Sequence, residues 1–167
     1  TENQESTFVS NLNIFIRGYE ERIFKSVHLN IFRRNKTGTL TVSNKFLNCP
    51  SDFLAPYSLS IIDSNGDHQF FFYLYVNFLQ SAYPDPTDTG TPRYYAFFDV
   101  TNFLLAPTPS AALTAELHYY YRPTSLTAGA GSGTTWLSTN APLAMLYGSL
   151  IEAYTYMKGE ADIIQNY

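Results

Sequence analysis

Charge is scarce in this chain. Asp, Glu, Lys and Arg together make up 14% of its 167 residues, where globular proteins usually carry roughly a quarter. A lone soluble monomer spreads more charge than that over its surface, so the deficit points to surface that meets other protein. Cysteine is nearly missing as well. Cys49 is the single one, which excludes an internal disulfide framework. Placed before Pro50 in an apolar stretch, it reads as a small hydrophobe and suits assembly in a reducing cytoplasm. Long apolar runs are also lacking. The longest, Phe70 to Val76, is strand-sized beside the roughly 20 residues of a membrane helix. This gives an expectation of no membrane association, and no signal peptide is legible. The chain begins at Thr1 without Met and stops at Tyr167 within a helical pattern, so its true ends are expected to lie outside the sequence.

What is present is aromatic. Aromatics reach 17%, with 14 Tyr and 13 Phe. Tyr brings contact area plus a hydrogen bond, which suits interfaces. The blander alternative is a Tyr-rich β core, since strands favour aromatics. Net charge is −4, unevenly placed: residues 1–45 hold seven Lys and Arg against four Asp and Glu, while the remainder holds three against ten. That asymmetry is compatible with two ends touching different partners. It argues against tight nucleic-acid binding by the chain as a whole, which needs clustered cations. One domain is expected, since 167 residues hold one real core but not two comfortable ones.

Periodicity divides the chain into helix, β-rich insert and helix. Phe8, Leu12, Ile16, Tyr19 and Ile23 recur at spacings of four and three, which stacks them on one helix face over about residues 6–28. Ser6 or Thr7 is the expected N-cap. The β-rich insert is expected over about 35–122. Within it, Asn65-Gly66 reads as a tight hairpin turn joining Tyr57–Ile62 to Gln69–Leu74. Leu113–Tyr121 reads as a strand with Leu117, Tyr119 and Tyr121 on one side. Val76–Ala82 reads as a short helix. Residues 124–135 form a Gly- and Ser-rich loop, without the Gly-Lys-Ser/Thr ending of a phosphate cradle. A last helix is expected from about 140 to 158 and beyond. Asn140 is its expected cap, Pro142 fits its first turn, and Leu143, Tyr147, Leu150, Ile151, Tyr154 and Met157 are its apolar stripe. Gly159 weakens it, and Ile163 and Ile164 hint that it resumes. The fold class is therefore α+β: terminal helices packed together, with an antiparallel, sandwich- or barrel-like insert between them. Phe8, Leu12, Ile16 and Tyr19 with the C-terminal stripe are the expected helix-packing or subunit-interface residues.

No constellation of catalytic residues stands out. His28, His68 and His118 are isolated from one another, without metal-ligand spacing. Nothing near Cys49 suggests an activated thiolate, and no nucleophile elbow is present. Asp63 and Asp67 flank a turn but lack the twelve-residue calcium loop. No catalytic residue, metal or cofactor is expected. Arg33, Arg34 and Lys36 form the one dense basic cluster, which could face phosphate, an acidic protein surface or water; a solvated or protein-facing role is the favoured reading, since one short cluster leaves little electrostatic footprint.

Several stretches resemble a known family. Phe15-Ile16-Arg17-Gly18-Tyr19-Glu20-Glu21-Arg22-Ile23 is similar to the first helix of head-to-tail adaptors (connectors) of short-tailed phages, including marine ones. Arg33–Leu40 followed by Pro50-Ser51-Asp52-Phe53-Leu54 resembles the family's passage into its β region. Leu117–Ser125, Thr135-Trp136-Leu137 and Leu146–Glu160 are similar to its last strand, loop and long helix. The resemblance implies a homo-oligomeric, typically dodecameric ring at the head–tail junction of the virion, assembled in the host cytoplasm. It implies the portal protein above, the tail tube or nozzle below, and phage DNA passing transiently and non-specifically through the bore. An acidic bore would fit the negative balance after residue 45. Alternatives are another tail or decoration protein of the virion, or a carbohydrate-binding β module using exposed Tyr and Trp136.

Overall fold

The computed structural model describes residues 2–128 and 133–157. In chain order the elements are α1 (Glu2–Ser26), a 3-10 turn (Asn30–Phe32), β1 (Arg33–Thr39), β2 (Phe46–Asn48), β3 (Phe53–Ile62), β4 (His68–Phe70), β5 (Phe72–Tyr73) and α2 (Val76–Ala82). There follow β6 (Thr89–Gly90), β7 (Tyr94–Phe97), β8 (Asn102–Ala106), β9 (Thr108–Pro109), β10 (Thr114–Tyr121), a 3-10 turn (Leu126–Ala128), α3 (Trp136–Asn140) and α4 (Pro142–Tyr156). The fold is α+β with a β-rich middle, as the sequence implies. Two compact units result: the residues up to Leu29 together with those from Pro123 onward, and Asn30–Arg122.

The helical unit packs α1 against α4. Phe15, Met145, Leu137 and Ala153 are buried in it, and Phe15 lies against the rings of Phe8 and Tyr156. Gly148 permits the close approach: a Cβ there would overlap the Tyr19 ring. Ser6 lies inside α1 rather than capping it. Asn140 does not cap α4; it ends α3, and the chain turns at Ala141 before Pro142. The cap in this region is Thr135, whose hydroxyl accepts from the Ser138 N–H while Ser138 returns a bond to the Thr135 N–H, a reciprocal box that satisfies helix-start donors. The expected continuation past Met157, with Gly159, Ile163 and Ile164, lies outside the described residues, as do residues 129–132 of the expected loop 124–135.

The second unit is a sandwich of two four-stranded sheets, ordered β1-β10-β3-β4 and β2-β8-β7-β5, and no closed barrel forms. Its core joins Leu59 and Ile61 of β3, Leu117 and Tyr119 of β10, and Tyr95, Phe103 and Leu105 of β7 and β8. The far face of the second sheet is also covered: Leu79 of α2 packs with Ala96, Leu104 and Ala106. Cover on both faces explains the unbroken burial of Phe103–Ala106, since a strand with two apolar sides loses alternation. β10 keeps alternation, with Ala115, Leu117 and Tyr119 buried and their neighbours less so.

Two pairings differ from an all-antiparallel insert. β5 runs parallel to β7, and β6 runs parallel to β9. The chain between β5 and β7 carries α2, the kind of crossover a parallel pair needs. The hairpin at Asn65-Gly66 joins β3 to β4, but only Gly66 takes a positive φ, +89°. Asp63 supports the turn, its carboxylate accepting the N–H groups of Asn65 and Asp67 at 2.8 and 2.9 Å. The strand expected over Gln69–Leu74 divides at buried Phe71: β4 belongs to one sheet and β5 to the other.

Candidate protein interface

On the helical unit, α1 and α4 bound an open apolar groove of about 210 Å³. Leu12 and Ile16 line it from one helix, Leu146 and Leu150 from the other, with Phe15 and Met145 beneath. Leu126, from the 3-10 turn, closes one side. Its N–H donates to the carboxylate of Glu20 at 2.9 Å, and Glu20 is almost fully buried. At the surface Arg22 pairs with Glu152 at 2.6 Å.

The helix residues singled out in the sequence fall into three groups. Phe8, Leu12, Ile16 and Leu150 meet in this groove. Tyr19 packs on Gly148, while Ile151 and Tyr154 are half-buried. Leu143 and Tyr147 are exposed, at 63% and 42%. None of the nine is fully buried. The closely packed positions of α4 are Met145, Gly148 and Ala153. They escaped the periodicity count because two of them are small. A glycine inside an otherwise helical apolar pattern is the signal that was available, since it costs helix stability and needs a packing reason. Buried Glu20 has no comparable sequence signal.

The basic cluster does not act as one patch. β1 alternates its faces, so Arg33 lies beside Tyr120 and Arg34 beside Tyr119. The Arg33 guanidinium stacks over the Tyr57 ring at 3.9 Å and donates to the Tyr120 hydroxyl at 2.9 Å. Its Nε is buried with no hydrogen-bond partner among the described residues. Arg34 pairs with Asp52 at 2.8 Å and stacks over Tyr121. These contacts use flat guanidinium groups on aromatic faces. Lys36 stands at the mouth of a second cleft, of about 240 Å³, between β1 and β2. Cys49 also lines that cleft. Burial and then the Asp99 charge push its thiol up to about 11, the opposite of what a nucleophile needs. Among the described residues, no three His, Cys, Asp or Glu side chains gather as a metal site. No described helix is long and apolar enough to cross a membrane.

The described surface thus offers an open apolar groove and arginines stacked on aromatic faces, the kind of surface that marks interaction sites. A family model described as SU10 adaptor protein matches residues 3–167, and the chain belongs to that family. It is accordingly a structural adaptor of a phage virion, associated with portal and tail components. No curated protein matches it.

Proposed function

We propose that this adaptor forms a homo-oligomeric ring, dodecameric as in the family it resembles, between the portal and the tail tube or nozzle, and that DNA passes through its bore without specific binding. The observation that carries the reading is the groove between α1 and α4. Leu12, Leu146 and Leu150 are each more than a third exposed there, around a floor of Phe15 and Met145. Contiguous apolar surface of this kind marks interaction sites. The stripe residues Leu143, Tyr147, Ile151 and Tyr154 lie outside the groove lining and are further contact candidates. Arg33 and Arg34 are held to aromatic and carboxylate partners within their own sandwich, which leaves Lys36 as the cluster member free to meet a neighbour. The negative balance after residue 45 supports an acidic bore that repels DNA in transit. Assembly in the host cytoplasm suits the lone thiol.

Imaging purified particles tests the reading. The expected result is density for this chain as a closed ring between portal and tail. Finding it as scattered single copies on the capsid, or absent from the particle, would sink the proposal.

A further inference from the structure

We propose that the β-sandwich itself joins neighbouring copies: the β4–β5 margin of one copy, led by the Tyr73 ring, seats in the cleft between β1 and β2 of the next. The inference rests on the ring reading and names the surfaces that would build it. Both sheets of the sandwich are open at both ends. β1 and β2 are the last strands at one margin, and β4 and β5 are the last at the other. An edge strand holds a row of hydrogen-bonding groups that its own sheet does not fill. β1 presents seven residues in this way, all but Arg33 exposed.

The two margins differ in shape. At the first, the sheets part into the cleft of about 240 Å³. Lys36 and Asn48 stand at its mouth, and Gly38 leaves room beside a floor of Leu59, Ala115 and Leu117. That floor is part of the sandwich core and is itself buried, Leu59 at 1% and Leu117 at 6% exposed, so the cleft reaches down to the core without laying it bare. An apolar cavity of about 150 Å³ holds a benzene ring, so this cleft takes one aromatic side chain. At the second margin Tyr73 lies opposite Tyr95 in the β5–β7 pair, on the core side of its sheet. Its ring sits edge-on to Tyr95 with centroids 5.4 Å apart, yet the residue is 51% exposed. Phe70 and Phe72 beside it are more exposed still. A core-side ring with half its surface in water, at one margin, matches an open cleft with an apolar floor at the other. A seated tyrosine also needs a partner for its hydroxyl, which Lys36 and Asn48 supply.

Charge agrees with shape. Lys36 has no ion pair among the described residues, and neither have Asp63 and Asp67, which flank the turn leading into β4. The contact joins two unlike patches of the same chain, the heterologous type whose repetition closes a ring. The second copy is therefore the occupant this cleft fits.

Two substitutions, each blocking one margin, test it. Gly38→Trp fills the cleft; a Cβ at Gly38 meets nothing within 4 Å, so the indole enters open space. Tyr73→Asp removes the ring. Should that variant fail to fold, Asp67→Lys on the exposed turn blocks the same margin by charge. The unaltered full-length chain is assembled alone or on its portal, and sizes are read by native mass spectrometry and sedimentation. Each variant is expected to remain monomeric where the unaltered chain forms rings. An equimolar mixture of the two is expected to give a one-to-one dimer and nothing larger, since only one intact margin pair remains. Rings from either variant, or a mixture that stays monomeric, would overturn the sandwich contact and leave the ring reading standing. An unaltered chain that forms no ring, alone or on the portal, would remove the ring reading and this contact with it.

Discussion

Tyr119 shows what one buried side chain contributes. Its hydroxyl donates to Asp52 at 2.8 Å, and the other carboxylate oxygen of Asp52 holds Arg34 at 2.8 Å. Burial, then the hydrogen bond to Asp52 and the Asp52 charge, push the phenol up to about 12 from its ordinary 10.0. The unfolded chain therefore releases this proton first as pH rises. Stability from the neutral phenol is complete below pH 10.0 and is lost as pH climbs through about 12, because the unfolded state then binds fewer protons. The Cys49 thiol acts in the same direction, from 9.0 to about 11. Urea unfolding measured across pH should show a plateau up to about the ordinary thiol value and a steep alkaline decline. Tyr119→Phe should flatten that decline and cost roughly 1.5–3 kcal/mol at neutral pH, the loss of one hydrogen bond to a charged group. An unchanged alkaline slope would show that the phenol is not responsible. Glu20→Ala should also destabilise, by about 1–3 kcal/mol, because the Leu126 N–H loses its acceptor. Thermal unfolding reads that cost.

At the scale of elements, the seam between α1 and α4 depends on what is small. Gly148→Ala pushes a methyl group into the Tyr19 ring. It should lower stability by about 1–3 kcal/mol, as overpacking does, although alanine is the better helix former. A gain in melting temperature would show that the seam has slack. This seam also shows how far sequence carries. The spacing of Leu143, Tyr147, Leu150 and Tyr154 gives the helix that α4 forms over Pro142–Tyr156, because bulk repeats at helical period. It misplaces the tightest contact, since close approach selects small residues that a count of large ones ignores. β10 was legible because its alternation is local. β1 was legible only as the start of the β-rich insert from about 35, because its first residues at Arg33 are strand through pairing with Tyr120, far along the chain. The break between α3 and α4 was missed where Asn140 and Pro142 together read as a helix start. The groove residues Phe8, Leu12, Ile16 and Leu150 were visible as apolar stripe. The Glu20–Leu126 tie and the margins of the sandwich were not, since both arise from tertiary placement alone.

At the scale of the whole molecule, the proposed ring rests on surface that folding leaves uncovered. Leu150 is 37% exposed at the mouth of the helical groove. Leu150→Asp should therefore leave the isolated chain folded, with at most about 1 kcal/mol lost, as for surface changes. A charge taken into a contact without a partner is costly, so the same variant should fail to enter particles. Circular dichroism and incorporation into particles separate the two effects, and normal incorporation would remove Leu150 from the interface.

The chain enters the sandwich through β1 and leaves it through β10, and these are adjacent antiparallel strands with Arg33 opposite Tyr120. Entry and exit thus lie side by side, roughly 5 Å apart at the Cα atoms. A segment whose two ends nearly touch is a cassette: it can be shortened, enlarged or exchanged for another without stretching the polypeptide that carries it.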